Sequence, residues 1–128
     1  MSKTHAVLVG LKRSHHELSS HQGKIFEIDS NMGVAVAGLT SDARALATYM
    51  RVECLNYRFS HGAPMLTGRL VGQVADKHQK RTMASWKRPY GVGLLIAGYV
   101  CPSLSLFRAL LKHNKQTSSC VPLTRRLV

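Results

Sequence analysis

The stretch over residues 33–59, GVAVAGLTSDARALATYMRVECLNYRF, changes its apolar period partway along from that of a strand to that of a helix. Its first part, 33–39, is a short apolar run of the kind found in buried strands. The run ends at Thr40-Ser41-Asp42, which predicts a helix start. Thr40 can accept a hydrogen bond from a free amide, and Asp42 suits the positive end of the helix dipole. A strand leading directly into a helix therefore organises the predicted fold.

The segment that follows predicts an amphipathic helix over 41–59. Burial of each larger apolar side chain contributes roughly 1.5–3 kcal/mol, so this helix must lie on a sheet or on another helix. Charged residues occupy its other faces. The apolar residues recur at offsets of three and four and so form one stripe along the helix. They are Ala43, Leu46, Ala47, Met50, Cys54 and Tyr57.

Further apolar runs predict an α+β fold in which both helices lie on one face of an antiparallel sheet. Alternation over 24–29 and a turn signal at 30–33 predict a hairpin. Pro64 fits the first position of a second helix, and Pro89 fits a strand entry where no ladder hydrogen bond is lost. The predicted strands are about 4–11, 24–29, 33–39 and 90–99, and the predicted helices about 41–59 and 64–82.

The last part of the chain differs in character from the rest. Residues 104–112 predict a short helix with Leu104, Phe107 and Leu111 on one side. Residues 114–128 show no periodicity, and we expect them to be disordered. The basic charge also rises here, because 101–128 contain five Lys and Arg residues and no Asp or Glu.

Composition bounds the class of protein. A chain of 128 residues forms one domain at most, and its cysteines at 54, 101 and 120 make no close pair, which suits a reducing compartment. No run approaches the roughly 20 apolar residues of a membrane span. The net charge of +12 leaves open a small basic nucleic-acid-binding module. Because basic runs are short and aromatic residues are not interleaved with arginine, we favour a generally basic surface, and nucleic acid is not a favoured partner.

Motifs for catalysis or cofactor binding are weak. The pair of glycines in Gly91-Val92-Gly93 lacks the third glycine of a dinucleotide-binding loop, because Ile96 stands in its place. His15, His16 and His21 lie in a polar connection without metal-ligand spacing. Cys54 falls on the apolar stripe, which favours a core residue over a nucleophile. We predict no cofactor and no metal.

Three stretches together carry a family resemblance. They are KTHAVLVGLKRSHHELSSHQGKIFEID, GVAVAGLTSDARALATYMRVECLNYRF and RPYGVGLLIAGY. In this order and spacing they resemble the alpha-type subunits of the eukaryotic proteasome core particle, over about residues 2–99. The most specific part is G-L-T-x-D-A-R followed by R-P-Y-G-V-G.

The resemblance implies an N-terminal-nucleophile-hydrolase-type fold, of which this chain would hold a partial αββα sandwich. It also implies a non-catalytic role. Beta-type members cut peptide bonds with a mature N-terminal threonine, whereas here the first residue is Met1 and Thr4 lies in a predicted strand. Alpha-type members form the outer rings, gate substrate entry and hold activator tails in ubiquitin-dependent protein breakdown, in the cytoplasm and nucleus.

The resemblance also implies particular site residues. Lys24 matches a lysine that pairs with the terminal carboxylate of a regulatory-particle tail, and the backbone at Gly38 and Leu39 lines the same pocket. A flexible ammonium at a strand edge suits this role; the alternative for Lys24 is a solvated lysine at a strand entry. The segment expected to contact neighbouring alpha-type and beta-type subunits is Arg88, Pro89, Tyr90 and Gly91.

Departures from the family pattern suggest a truncated form. The family has a segment before the first strand here and a second sheet after the R-P-Y-G-V-G strand, and residues 100–128 resemble neither. We therefore expect a partial alpha-type domain over 1–99 and a divergent, poorly ordered basic tail over 100–128. Uncovered strand edges and an apolar sheet face would leave the isolated chain marginally stable or prone to aggregate, and unable to take a normal ring position.

Overall fold

The computed structural model describes residues 5–11 and 22–99, and the backbone alone of residues 100 and 103–109. Within these residues no helix is long and apolar enough to cross a membrane. The fold is α+β, as predicted. The elements in chain order are β1 (Ile25–Asp29), β2 (Met32–Gly38), α1 (Thr40–His61), α2 (Thr67–Met83), β3 (Val92–Val100) and β4 (Ser103–Ala109).

The four strands form one antiparallel sheet in the order β1-β2-β3-β4. The predicted hairpin between β1 and β2 is confirmed, with Ile25 opposite Ala35 and a register irregularity between Glu27 and Asp29. Two helices connect β2 to β3, yet these strands are adjacent, with Val34 opposite Ile96. The sheet is therefore a meander interrupted by a helical layer.

Both helices pack on one face of the sheet, which confirms the predicted layer. Helix α1 lies over β1 and β2, and helix α2 lies over β3 and β4. Burial alternates from residue to residue along the strands, because one face of each packs on these helices. In β2, for example, Val34 is fully buried, whereas the adjacent Ala35 is half-buried. The largest fully buried side chains are Leu46, Met50, Met65, Leu70, Ile96 and His78.

The predicted buried strand over 4–11 is wrong for the residues that the structure describes. Residues 5–11 carry no strand, and Val7, Val9 and Leu11 are 79%, 82% and 81% exposed. An apolar β-branched run fits an extended backbone, but ladder hydrogen bonds and a covering layer convert it into a buried strand. Here the segment is held beside β1 by the Lys24 ammonium, which donates to the Leu11 carbonyl at 2.8 Å.

The helix predicted over 104–112 is also wrong as far as the described backbone extends, because 103–109 form strand β4. This strand pairs with β3 from Val100 opposite Ser103 to Leu94 opposite Ala109. Strand β4 therefore occupies the edge of β3 opposite to β2. The Ser-Leu-Ser-Leu alternation at 103–106 already has the strand period. Residues 110–128, including the tail predicted to be disordered, lie outside the described residues.

Both helix starts differ from their predictions. The N-cap of α1 is Leu39, which has extended backbone angles and no side-chain cap hydrogen bond, and Thr40 is already the first helical residue. Helix α2 starts at Thr67 rather than at Pro64, because Leu66 keeps an extended conformation and its carbonyl accepts the amide of Leu70 at 3.2 Å. Met65, fully buried, anchors the chain before that start.

The free energy of unfolding should decrease as the pH falls below about 6.5, because of His78. Its Nδ1–H donates to the Val74 carbonyl at 2.8 Å, and its buried Nε2 has no hydrogen-bond partner among the described residues. Its ring lies edge-on to the ring of Tyr90, with 4.8 Å between the two ring centres. Burial lowers the pKa of His78 below 6.5, and the nearby Arg81 and Lys77 lower it further. The unfolded chain therefore binds the proton first, so stability is complete above the unfolded pKa and declines as pH falls through it.

The measurement is urea unfolding at several pH values, with an expected slope of at most about 1.4 kcal/mol per pH unit for this one group. A His78→Phe variant should remove that slope, whereas His61→Gln, at an exposed position, should keep it. An unchanged slope in His78→Phe would show that another group is responsible.

Candidate carboxylate-binding cavity at the start of helix α1

A small cavity of about 30 Å³ opens where the start of β1, the end of β2 and the first turn of α1 meet. Two of the three residues predicted to form a carboxylate pocket, Lys24 and Gly38, line this cavity. The third, Leu39, lies next to them in the chain as the N-cap of α1. The described residues that line it are Gln22, Gly23, Lys24, Phe26, Val36, Gly38, Thr40 and Ala43.

The β1–β2 hairpin brings these residues together. The amide of Val36 donates to the carbonyl of Lys24 at 2.8 Å, so the residue before β1 lies beside the end of β2. Strand β2 ends at Gly38 and helix α1 begins at Thr40, so a single residue, Leu39, connects them. Amides in the first turn of a helix have no intrahelical acceptor, and the helix dipole places partial positive charge at this end.

Lys24 supplies the formal charge at the cavity. None of the described residues that line the cavity carries a carboxylate. The ion pairs among the described residues are Arg58–Asp29 and Arg88–Asp42, and Lys24 takes part in neither of them. Its ammonium uses one hydrogen-bond donor on the Leu11 carbonyl, and an ammonium has three donors in all. An anion of carboxylate size therefore suits this arrangement.

Gly38 must be glycine because the chain passes very close to Gly91. Its φ of 128° lies in a region that side-chain-bearing residues rarely adopt. A Cβ at this position would lie 2.3 Å from the carbonyl oxygen of Gly91. The next amide, that of Leu39, donates to the same oxygen at 3.0 Å. The wall of the cavity is thus fastened to the residue that precedes β3.

Asp42 fastens the same residue from the other side. Arg88 donates from Nη1 to Oδ2 of Asp42 at 2.7 Å and from Nη2 to Oδ1 at 2.9 Å, and the Gly91 amide donates to Oδ2 at 3.1 Å. The Arg88 hydrogen bonds hold the pKa of Asp42 below its usual value, against the opposing effect of burial. Asp42 therefore remains ionised well into the acidic range.

Sequence reasoning missed this contact. It assigned Asp42 to the helix dipole and Arg88 to a subunit contact, and no local period connects two residues 46 positions apart. The available signal was the presence of both residues in the two most specific family motifs, T-S-D-A-R and R-P-Y-G.

The segment predicted to contact other subunits is partly exposed and partly packed. Arg88, Pro89 and Gly91 are exposed, although the Arg88 guanidinium is engaged by Asp42. Tyr90 is buried between the His78 ring and the guanidinium of Arg81, which lies 4.0 Å from its ring centre.

Cys54 is buried in the core, as predicted. Burial raises the pKa of its thiol to about 11, so it remains protonated at neutral pH. A protonated buried thiol is a poor nucleophile.

Comparison with known proteins agrees with these motifs. The family model described as proteasome subunit matches residues 1–108. "Proteasome subunit alpha type-1" of Dictyostelium discoideum is 57% identical over 98 residues, which cover 77% of this chain and 40% of that protein. "Probable proteasome subunit alpha type-6" of Schizosaccharomyces pombe is 50% identical over 99 residues, 77% of this chain and 36% of that protein.

A further relative, "Proteasome subunit alpha type-1" of Caenorhabditis elegans, is 47% identical over 98 residues, which cover 77% of this chain and 38% of that protein. The chain spans about two fifths of the length of these curated relatives. The family match extends through 108, beyond the end of the resemblance at 99. The chain therefore belongs to the proteasome subunit family, and its relatives there are alpha-type subunits.

Proposed function

We propose that this chain acts as a non-catalytic structural subunit of the proteasome outer ring, and that its Lys24 cavity receives the terminal carboxylate of a regulatory-particle tail. The observation that carries the proposal is that Lys24 and Gly38, assigned to one pocket by the family motif, line one cavity. Its partners would be neighbouring alpha-type and beta-type subunits, in the cytoplasm and nucleus.

The chemistry of the cavity supports docking rather than catalysis. A lysine ammonium and the first turn of a helix favour an anion, but they supply neither a nucleophile nor a general base. The segment 88–91 would contribute to subunit contacts through its exposed residues Arg88, Pro89 and Gly91. Tyr90 would support them from beneath, because it packs on His78.

A basic nucleic-acid-binding module is not favoured. Several cations are already placed over the chain's own aromatic rings, such as Lys77 over Tyr49 at 3.5 Å and Arg81 over Tyr90 at 4.0 Å. Affinity that depends steeply on salt for single- or double-stranded nucleic acid would support that module instead.

Replacing Lys24 tests the carboxylate cavity. In core particles assembled with this chain, Lys24→Met should weaken binding of a regulatory particle tail by about 10- to 100-fold, the value of a charge-assisted hydrogen bond. The control is Lys80→Met, which removes an exposed lysine on α2. Tail affinity equal to that of the unmodified chain would contradict the assignment of Lys24.

Native sizing tests the ring role separately. The tagged 128-residue chain would be expressed in cells, and its co-purifying proteins identified after size separation. Recovery with other alpha-type subunits in ring-sized or assembly-intermediate fractions supports the proposal and overturns the expectation that the isolated chain cannot take a ring position. Recovery as aggregate alone would contradict ring assembly by this chain.

A further inference from the structure

The two polar groups of the Gly91 backbone are both held by residues at the start of α1. The Gly91 carbonyl accepts the Leu39 amide at 3.0 Å, and the Gly91 amide donates to the Asp42 carboxylate at 3.1 Å. Arg88 binds both oxygens of that carboxylate, which prevents it from rotating away. One chain of hydrogen bonds therefore links Leu39, Gly91, Asp42 and Arg88, and we call these four residues the α1 clamp.

The α1 clamp controls the position of the cavity wall. Gly38 lies so close to Gly91 that no Cβ fits between them, and the adjacent Leu39 amide donates to the Gly91 carbonyl. The position of Gly91 is therefore coupled to that of Gly38. Thr40 and Ala43, which also line the cavity, share the first turn of α1 with Asp42. The clamp thus holds lining residues on both sides of the strand-to-helix junction.

The α1 clamp also controls the charge beside the cavity. An unpaired Asp42 carboxylate in the first turn would oppose the binding of a second anion at the same helix end. The bidentate Arg88 guanidinium neutralises it. Among the described residues of the lining, the Lys24 ammonium therefore remains the charged group without an ion-pair partner. Removing Arg88 should therefore penalise a negatively charged ligand more than a neutral one of the same shape.

We propose that Asp42 and Arg88 are positioning residues of the Lys24 cavity: Asp42 holds its wall through Gly91, and Arg88 cancels the Asp42 charge so that a carboxylate can bind. This inference rests on the proposed carboxylate-docking function. It adds a specificity requirement, namely discrimination between a free carboxylate and its amide.

The test uses the full 128-residue chain and two probes, acetyl-trialanine with a free C-terminal carboxylate and the same peptide as a C-terminal amide. NMR titration of the Leu39 and Gly91 amides would measure both affinities. We expect the unmodified chain to prefer the acid, and Arg88→Gln to reduce that preference at least five-fold. Arg88→Lys should restore part of it, because it restores the charge without the bidentate geometry. Arg58→Gln, which breaks the other ion pair of α1, is the matched control and should change nothing.

Hydrogen exchange of the Leu39 amide measures the positioning role without a ligand. Exchange should accelerate at least ten-fold in Asp42→Asn and remain unchanged in Arg58→Gln. No preference for the acid in the unmodified chain would overturn both this inference and the carboxylate cavity. An acid preference that persists in Arg88→Gln, or unchanged Leu39 exchange in Asp42→Asn, would overturn this inference alone.

Discussion

A Leu46→Asp variant is expected to be unfolded at 25 °C. Leu46 is fully buried in α1, between the helix and the sheet. Truncating a buried leucine costs about 2–5 kcal/mol, and a buried carboxylate without a partner adds several more. Because small domains are stable by only about 5–15 kcal/mol, this loss is comparable to the whole stability. Loss of the cooperative transition in circular-dichroism melting would confirm the expectation.

The same substitution on the other side of α1 provides the control. Leu55 is 67% exposed, so Leu55→Asp adds an identical charge to the same helix without burying it. It should change the free energy of unfolding by no more than about 0.5 kcal/mol. A Leu46→Asp chain that melts like Leu55→Asp would show that α1 does not pack on the sheet as described.

A Gly38→Ala variant is expected to lose both stability and the shape of the Lys24 cavity. The φ of 128° strains any L-residue, and the new Cβ would lie 2.3 Å from the Gly91 oxygen. Backbone strain of this kind costs roughly 1–3 kcal/mol, and relief of the clash must move Gly91. We expect a total loss of about 2–4 kcal/mol in urea unfolding, accompanied by shifts of the Leu39 and Gly91 amide resonances.

A variant at Gly62 distinguishes the two causes of the lost stability, which are backbone strain and the clash with Gly91. It caps α1 with a φ of 64°, and no atom of the described residues lies within 4 Å of the place where its Cβ would be. Gly62→Ala should therefore cost about 1 kcal/mol from left-handed strain alone, with no effect at the cavity. If Gly38→Ala cost no more than Gly62→Ala and left the cavity amides unmoved, the close approach of Gly38 to Gly91 would be disproved.

The sequence alone determined the elements whose period is long and clear. Six apolar positions at helical spacing predicted α1, and five of them are buried. Alternation on either side of a turn signal predicted the β1–β2 hairpin, because strand period and turn chemistry are both local properties. The family resemblance also predicted one pocket for Lys24 and Gly38; both residues line the cavity at the start of α1, and the pocket itself stays a prediction.

The tertiary structure determines which apolar segments pair with a strand of the sheet. Residues 5–11 and 103–109 are both apolar enough for a strand, but only the second pairs with a strand in the described part of the chain. The tertiary structure also determines the role of Asp42, because its carboxylate accepts hydrogen bonds from Arg88, which is 46 positions away in the sequence. Hydrogen bonds between distant residues depend on how helix and sheet are placed, and local periodicity carries no information about that placement. The start of α1 was therefore predictable as a helix end, whereas the clamp that fastens it to Gly91 was not.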